Sequence, residues 1–563
     1  MIPEREGLIV KNRTRRQFLL AAAAFLLVYA ALLCLLVIVE KDQPGSHIHT
    51  LGDALWYSLV TISTVGYGDV TPVSAAGHVI GAVFLLMSMG VLVALVGSAV
   101  SVITSEGLPM LRLGLRRRAN WYYIAEFNSE ADVLARDILR EDPYGVIIFG
   151  INREMEIEKP DYPCFFINVS PAVLVAHKKG AGQRCKMFFL DEDDIGRNLK
   201  ALNVHELDAD VYARTMSGQE KLSDNIHFFH SYDCCARSYW KDNPLHPMED
   251  IIVIIGFGNY GTALLERAIL TNINDSDFDV SYHVFGDSRR FRQMHVSLGA
   301  AMAINERRPG HDSIFFHDGG WESEHDIIRD ADRIIICDDR VETGWDIYWQ
   351  IQRFYKHKDR IYLRSNRVAP GVRYFGTNEQ IFTVSQIVRT RLNDAARLMN
   401  DLYRRSVEDS LDWDELNDRL KQSKIAAADH LIMKIRLLLN DRTVPEVSYE
   451  TLRAAYESLC EAKKDSAKLD MLRRIEHARW VRFYTYFNWK YGKVNDEYRR
   501  EDPMICEYEE LTEDQKAYHD RAWDLIGELV KQLGDRRWSA SPCGRGEQHE
   551  YREELESASE HVK

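Results

Sequence analysis

The sequence predicts a multidomain membrane protein: an all-α transmembrane domain, two tandem α/β Rossmann-like domains and a C-terminal, mainly α domain. Three observations carry this. Two long apolar runs flank a short glycine-containing loop in the first fifth of the chain. An isoleucine-rich strand at mid-chain leads straight into a Gly-x-Gly-x-x-Gly turn and has a faded copy upstream. An ordered set of Arg, His and Trp residues opens a helical segment near the C-terminus.

The first run, Phe18 to Val39, holds about 22 uncharged residues, enough to cross a hydrocarbon core of about 30 Å and too long for a cleaved signal peptide. Lys11, Arg13, Arg15 and Arg16 precede it, and Arg112, Arg116, Arg117 and Arg118 follow the second run, His78 to Thr104. The positive-inside bias therefore puts both flanks in the cytoplasm, with N- and C-termini on the same side of the cytoplasmic membrane. No Arg-rich helix precedes the first run, which argues against voltage sensing of the usual kind. Between the runs, Asp53 to Ile62 reads as a short re-entrant helix, tolerated at membrane depth only where surrounding protein satisfies its ends.

That helix points at Thr64-Val65-Gly66-Tyr67-Gly68-Asp69. A dehydrated cation needs oxygens in place of its water, and backbone carbonyls supply them without a trapping charge. Gly66 and Gly68 can adopt backbone angles closed to other residues, so successive carbonyls can face one axis. Thr64 adds a hydroxyl at one end, and Asp69 a carboxylate at the mouth. The loop resembles the filter of potassium channels, and residues 18–105 resemble their two-helix pore domain, with Trp56 and Tyr57 in the aromatic cuff. One departure is Val60, where some channels carry a glutamate that pairs with the aspartate at the position of Asp69. The resemblance implies potassium ions in the filter and, since one loop makes one wall, a homotetramer in the lipid bilayer. Gly90 and Gly97 are gating-hinge candidates; small residues at such positions also serve close helix packing.

With 563 residues and two spans, more than four-fifths of the chain is soluble, room for about three domains. The formal net charge of −14, with basic residues gathered at the membrane edge, excludes nucleic acid as a partner. Nine cysteines without a Cys-x-x-Cys pair fit a reducing compartment and argue against a zinc ribbon. The vicinal Cys234 and Cys235 are either a redox sensor or buried thiols.

From Asp250 the chain reads as strand, glycine turn and helix: Ile251 to Ile255, then Gly256, Gly258, Asn259 and Gly261. Glycines there let the backbone approach a phosphate at the helix N-terminus. A second strand ending at Asp287 supplies a carboxylate for ribose hydroxyls, and Arg289 and Arg290 follow to meet a phosphate. Further strands fall at 313–316, 333–337 and 360–363, alternating with helices in a doubly wound sheet. Upstream, Ile124 to Glu130 aligns with Ile255 to Gly261 but replaces all three glycines by Ala125, Phe127 and Glu130, the last putting a carboxylate where a phosphate would sit. The pairs 209–214 with 226–229 and 360–364 with 372–375 repeat in the same way. The first domain is therefore structural, and the second takes NAD(H) or an adenine nucleotide.

Tandem domains of this kind beneath a two-helix pore resemble the RCK (regulator of potassium conductance) domains, over about 120–405. The resemblance implies a gating ring whose ligands include nucleotides and divalent cations. Calcium ligands would come from Asp191-Glu192-Asp193-Asp194 or Asp338-Asp339, neither with a calcium-loop spacing. His227, His230 and Asp233 read as a strand end or a metal group. The stretch Asp412 to Asp441 reads as helical. Arg474-Ile-Glu476-His477-Ala-Arg479-Trp480, Asn488-Trp489-Lys-Tyr491 and Tyr508-Glu-Glu-Leu511 resemble the RyR domain, the repeat named after ryanodine receptors, over about 465–535, with Asn488 in place of its usual glycine. His477, Arg479, Trp480, Trp489 and Tyr491 are either a stacking and phosphate-binding site for a small nucleotide-type ligand or the core of a helical domain.

The resulting division is 1–17 cytoplasmic N-terminus, 18–105 pore domain, 106–119 linker, 120–245 and 246–405 RCK domains, 406–464 helical connector, 465–535 RyR domain and 536–563 polar tail. The expected function is a ligand-gated potassium channel without enzymatic turnover. The alternatives are a second-messenger receptor that opens the pore through the RyR domain, and a membrane-anchored NAD-dependent oxidoreductase.

Overall fold

The computed structural model describes residues 27–87, 97, 107–116, 119–150, 160–178, 185–191, 208–215, 225–246, 248–274, 279–406, 410–441, 443–444 and 447–539. They fall into two compact units, Met1–Leu115 and Arg116–Lys563.

In the first unit, helix α1 (27–40) carries the described part of the first apolar run, α2 (Leu51–Ile62) is the short helix and α3 (75–87) begins the second run. Thr50 starts α2 with a reciprocal capping box to Asp53. Leu33, Leu36, Ile48, Ala54, Ile80 and Phe84 form its core. Glu40, at the end of α1, accepts hydrogen bonds from Val73 N (3.0 Å), Ser74 N (2.9 Å) and Ser74 Oγ (2.6 Å), tying the start of α3 to the end of α1. Among the described residues no helix is long and apolar enough to cross a membrane. The remaining parts of both runs, 18–26, 88–96 and 98–104, lie outside them.

The second unit holds two large parallel sheets and one pair of two-residue strands, Lys490–Tyr491 and Glu501–Asp502. Strands β1 (Trp121–Ile124), β2 (Val146–Phe149), β3 (Cys164–Phe166), β4 (Cys185–Phe189), β5 (Ala209–Arg214) and β6 (Ile226–Phe229) are ordered β3-β2-β1-β4-β5-β6. This is the doubly wound Rossmann order. The second sheet, β7 (Ile251–Ile255), β8 (Ser281–Phe285), β9 (Ala303–Ile304), β10 (Ser313–His317), β11 (Arg333–Ile336), β12 (Ile361–Arg364) and β13 (Arg373–Phe375), runs β13-β12-β11-β7-β8-β10-β9. Without the two-residue edge strand β9 it repeats the first order. Central strands such as β7 are buried on both faces, which is why they read as continuous apolar runs.

Helix α4 (Ser129–Glu141) follows β1, α5 (Ser231–Asp242) follows β6, and α6 (Asn259–Thr271) follows β7. Between the two halves Trp240 donates to Leu264 O at 2.9 Å and Tyr232 meets Tyr260 edge-on at 4.6 Å. Helix α7 (Val341–Gln352) follows β11. The rest is mainly helical: α8 (Asp394–Ser406), α9 (Asp418–Asp429), α10 (Leu431–Leu439), α11 (Tyr449–Lys464), α12 (Ser466–Tyr486) and α13 (Arg521–Ser539). The helical stretch expected over 412–441 is broken at His430, whose Nε2 meets the carbonyl of Ile273 at 2.8 Å and fastens the break to the second Rossmann half. Arg482 to Asp312 (2.6 Å) is a second fastening.

Candidate functional site

The short helix delivers the chain to the loop at 64–69. Val60 O, at the end of α2, accepts from Val65 N (3.2 Å) and Gly66 N (3.3 Å), so these donors face the helix. Thr64 (φ 57°), Gly66 (φ 60°) and Gly68 (φ 74°) are left-handed, whereas Val65 and Tyr67 between them keep negative φ. Carbonyls of an extended strand alternate in direction. Inverting handedness at every second residue turns them to one side. Thr64 has a Cβ and still adopts this conformation, at a cost of about 1–2 kcal/mol. Trp56 Nε1 donates to Asp69 Oδ2 at 2.9 Å, and the Trp56 ring stacks on Tyr67 at 6.3 Å and 3°. With valine at 60, these contacts brace the loop in place of a carboxyl pair. Gly90 lies outside the described residues. Gly97 is helical and exposed, and among the described residues no atom lies within 4 Å of a Cβ placed there.

At the second Rossmann turn each glycine answers a close approach. A Cβ on Gly256 (φ 94°) would lie 2.5 Å from Asp338 N, one on Gly258 would strike the Asp339 carboxylate, and one on Gly261 would strike Gly256 O. The first amides of α6 are occupied from within the chain: Asp339 accepts from Asn259 N (3.1 Å) and Tyr260 N (3.3 Å). Arg364, stacked on Tyr260 at 3.9 Å, holds the Asp339 carbonyl at 3.1 Å. A carboxylate therefore sits where the sequence places a phosphate. Of the remaining candidates, Asp287 and Arg289 are paired with each other. Asp287 accepts from Arg289 Nη2 (2.5 Å) and Nε (2.8 Å), and this guanidinium holds its carboxyl well below the usual range. In the first Rossmann half Glu130 is paired with Arg214 at 3.1 Å, and Leu190 N donates to Glu126, whose carboxyl burial pushes up to about 7.

In the C-terminal helices Trp480 and Trp489 pack with Ile505 in one apolar cluster, and Tyr484 stands 4.1 Å from the first ring and 5.2 Å from the second. His477 is buried, with Nδ1 3.2 Å from His519 Nε2 and Nε2 2.9 Å from Cys506 O. Arg479 is buried beside Glu476 (2.7 Å). Tyr491 is not brought to them; it is 59% exposed on a two-residue strand. Asn488 takes φ 62°, the left-handed conformation a glycine would supply, and its amide is engaged by Ser297 N (3.2 Å) and Met294 O (2.5 Å).

Cys234 and Cys235 are thiols pushed up to about 12 by burial, which suits packing rather than redox sensing. Asp233 is held by Arg267 at 2.5 Å, and with His227 and His230 it lines a cavity of about 610 Å³ beside β6. Among the described residues no group of His, Cys, Asp and Glu is placed to hold a metal ion, which leaves calcium without support at Asp338-Asp339; Glu192, Asp193 and Asp194 lie outside them.

His430 and His519 are held neutral. Burial first, then the Lys434 ammonium at His430 and the His477 ring at His519, push each imidazole down to about 3. The unfolded chain takes up these protons from about pH 6.5 downward. The folded chain does not until about pH 3, so stability falls on acidification through that window. Thermal melts between pH 7 and pH 4 should show this slope, shallower in His519→Gln; identical slopes in the two proteins would rule His519 out as a contributor.

Residues 19–105 match the family model described as an ion channel. Within that class, the voltage-gated potassium channel of Aeropyrum pernix is 44% identical over 63 residues, covering 11% of this chain and 21% of the relative. The potassium voltage-gated channel subfamily A member 5 of Mus musculus is 45% identical over 42 residues, 8% and 7% of the two chains. The human subfamily KQT member 3 is 26% identical over 173 residues, 27% and 19%. The chain thus spans about a fifth or less of the length of these relatives. Among solved structures, GsuK bound to ADP has a TM-score of 0.32 at 15% identity, covering 65% of this chain and 96% of that one. The GsuK channel bound to NAD has 0.33 at 13%, covering 68% and 85%. Over residues 19–105 the family match and the sequence relatives are to membrane ion channels and not to enzymes.

Proposed function

We propose that this chain forms a potassium-selective, ligand-gated channel, a homotetramer in the cytoplasmic membrane with both termini in the cytoplasm. The alternation of positive and negative φ over Thr64 to Gly68 carries this reading, since it would aim one wall of carbonyls at a single line. Exposed apolar side chains of the first unit, among them Leu59, Val65, Tyr67 and Leu86, supply surface that neighbouring copies and lipid would cover. Gating would come from a nucleotide-type ligand at Gly256, Gly258, Asn259 and Gly261. A tenfold preference for the open ring at each of four sites would supply roughly 5.5 kcal/mol, enough to move a gate from mostly shut to mostly open.

The test is potassium flux from liposomes holding the purified protein, with and without NAD(H), ATP, ADP and cyclic dinucleotides. Gly258→Asp should abolish any nucleotide-dependent change in flux and leave the potassium-over-sodium preference intact, because its side chain would run into Asp339. A mutant that responds like the parent would remove this turn as the trigger. A second reading, in which the C-terminal helices receive the signal, is favoured by Asp339 already occupying the amides of α6.

A further inference from the structure

The C-terminal helices enclose more positive charge than they neutralise. Arg479, on α12, is 3% exposed; its Nε meets Glu476 at 2.7 Å, but its Nη1 makes no hydrogen bond among the described residues. Glu476 is shared, since its other oxygen faces the Lys434 ammonium at 3.2 Å. Two further cations stand over one ring. Lys424, on α9, has Nζ 3.5 Å from the centroid of Tyr403 on α8, and Arg521, at the start of α13, lies 5.4 Å from the same ring and 5.3 Å from that of Tyr518. Among the described residues neither Lys424 nor Arg521 makes an ion pair. The neighbouring carboxylates are taken: Asp429 by Arg237 (2.6 Å), Asp520 by Arg473 (2.6 Å) and Asp524 by Lys463 (2.5 Å). Burial, then Arg479 and Arg521, bring the Lys424 ammonium down to about 8.

Gathering cations away from water without counter-charge is costly unless an anion joins them. We infer that Lys424, Arg479 and Arg521, walled by Tyr403 and Tyr518, form an oxyanion site that takes a phosphate group, free or carried by a nucleotide. The unpartnered Arg479 Nη1 and the Lys424 ammonium supply charge-assisted donors, and Arg521 adds a planar fork for paired oxygens. The three cations come from three helices, so a bound phosphate would join α9, α12 and α13. This deepens the second reading above by naming its ligand chemistry, and its test does not depend on what the pore conducts.

The experiment is calorimetric titration of the full-length protein in detergent, in the Gly258→Asp background so that the glycine turn does not contribute. The probes are inorganic phosphate, pyrophosphate, AMP and ATP, each against sodium chloride at matched ionic strength. Saturable binding is expected, weakened at least about tenfold by Lys424→Met and by Arg521→Gln and only partly by Arg521→Lys. Equal binding of phosphate and AMP would assign the site to the free anion, and stronger binding of AMP or ATP to a nucleotide. Either variant alone decides the matter should the other fail to fold. No saturable binding of any probe, or binding unchanged in the folded variants, would overturn the assignment.

Discussion

Replacing Gly66 by alanine is expected to abolish potassium-selective flux while leaving the second unit folded. Gly66 sits at φ 60°, and among the described residues no atom lies within 4 Å of a Cβ placed there, so the penalty is conformational rather than steric. An L-residue in the left-handed region costs about 1–2 kcal/mol. In the proposed tetramer that strain is met four times around one axis, roughly 4–8 kcal/mol in all. The loop escapes it by returning residue 66 to negative φ, which swings one carbonyl in each wall away from the line of the others. Rubidium uptake into liposomes, with sodium as competitor, reads the result directly. A Gly66→Ala protein with the parent's flux and ion preference would remove the filter assignment.

Glu249→Ala is expected to cost the second unit about 3–5 kcal/mol of stability. Arg333, at the start of β11, is 3% exposed and reaches Glu249 through Nε (2.8 Å) and Nη2 (2.6 Å). The same guanidinium donates to the carbonyls of Asn243 (2.7 Å) and Pro244 (3.2 Å), and packs against Trp240 and Tyr362. It thus ties the connection between the two Rossmann halves to the second sheet. Removing the carboxylate leaves a buried cation with neutral acceptors only. Urea unfolding followed by tryptophan fluorescence should show the loss, and the double variant Glu249→Leu with Arg333→Met should recover much of it, since the uncompensated charge goes too. A single-variant loss under about 1 kcal/mol would mean that the carbonyls suffice.

What could be read from the sequence was contiguous. The filter loop is six neighbouring residues whose chemistry is in the backbone. Strands β7, β8 and β10 to β12 announce themselves because parallel strands buried on both faces read as apolar runs, and the repeat of one half in the other adds β5, β6 and β13; β2, β3, β4 and the two-residue β9 went unread. The helical nature of the C-terminal third was also visible. What escaped depends on contacts between distant segments. The sequence offers Asp339 only as a calcium ligand, because nothing local says that the loop after β11 folds over the amides of Asn259 and Tyr260. The break at His430 follows from a carbonyl of Ile273, on the far side of the second Rossmann half. Lys424 and Arg521 belong to no motif and meet only where α9 and α13 converge on Tyr403. Burial of Trp480 and Trp489 was one of two readings a single sequence leaves open, since stacking surfaces and cores use the same side chains.

The Asp339 carboxylate makes the glycine turn its own antagonist. Any phosphate taking the amides of α6 has to exchange places with it, so half-occupancy comes at a concentration raised by the inverse of the fraction of time the seat stands empty. A seat held 99% of the time would raise that threshold about a hundredfold. In the proposed channel one acidic side chain would thus write a set point, below which background levels of ligand go unheard. The exchange is also felt along the chain: Asp339 lies between β11 and α7, and its own carbonyl is held by Arg364, so an arriving anion trades one internal tether for another and reports itself as a moved loop.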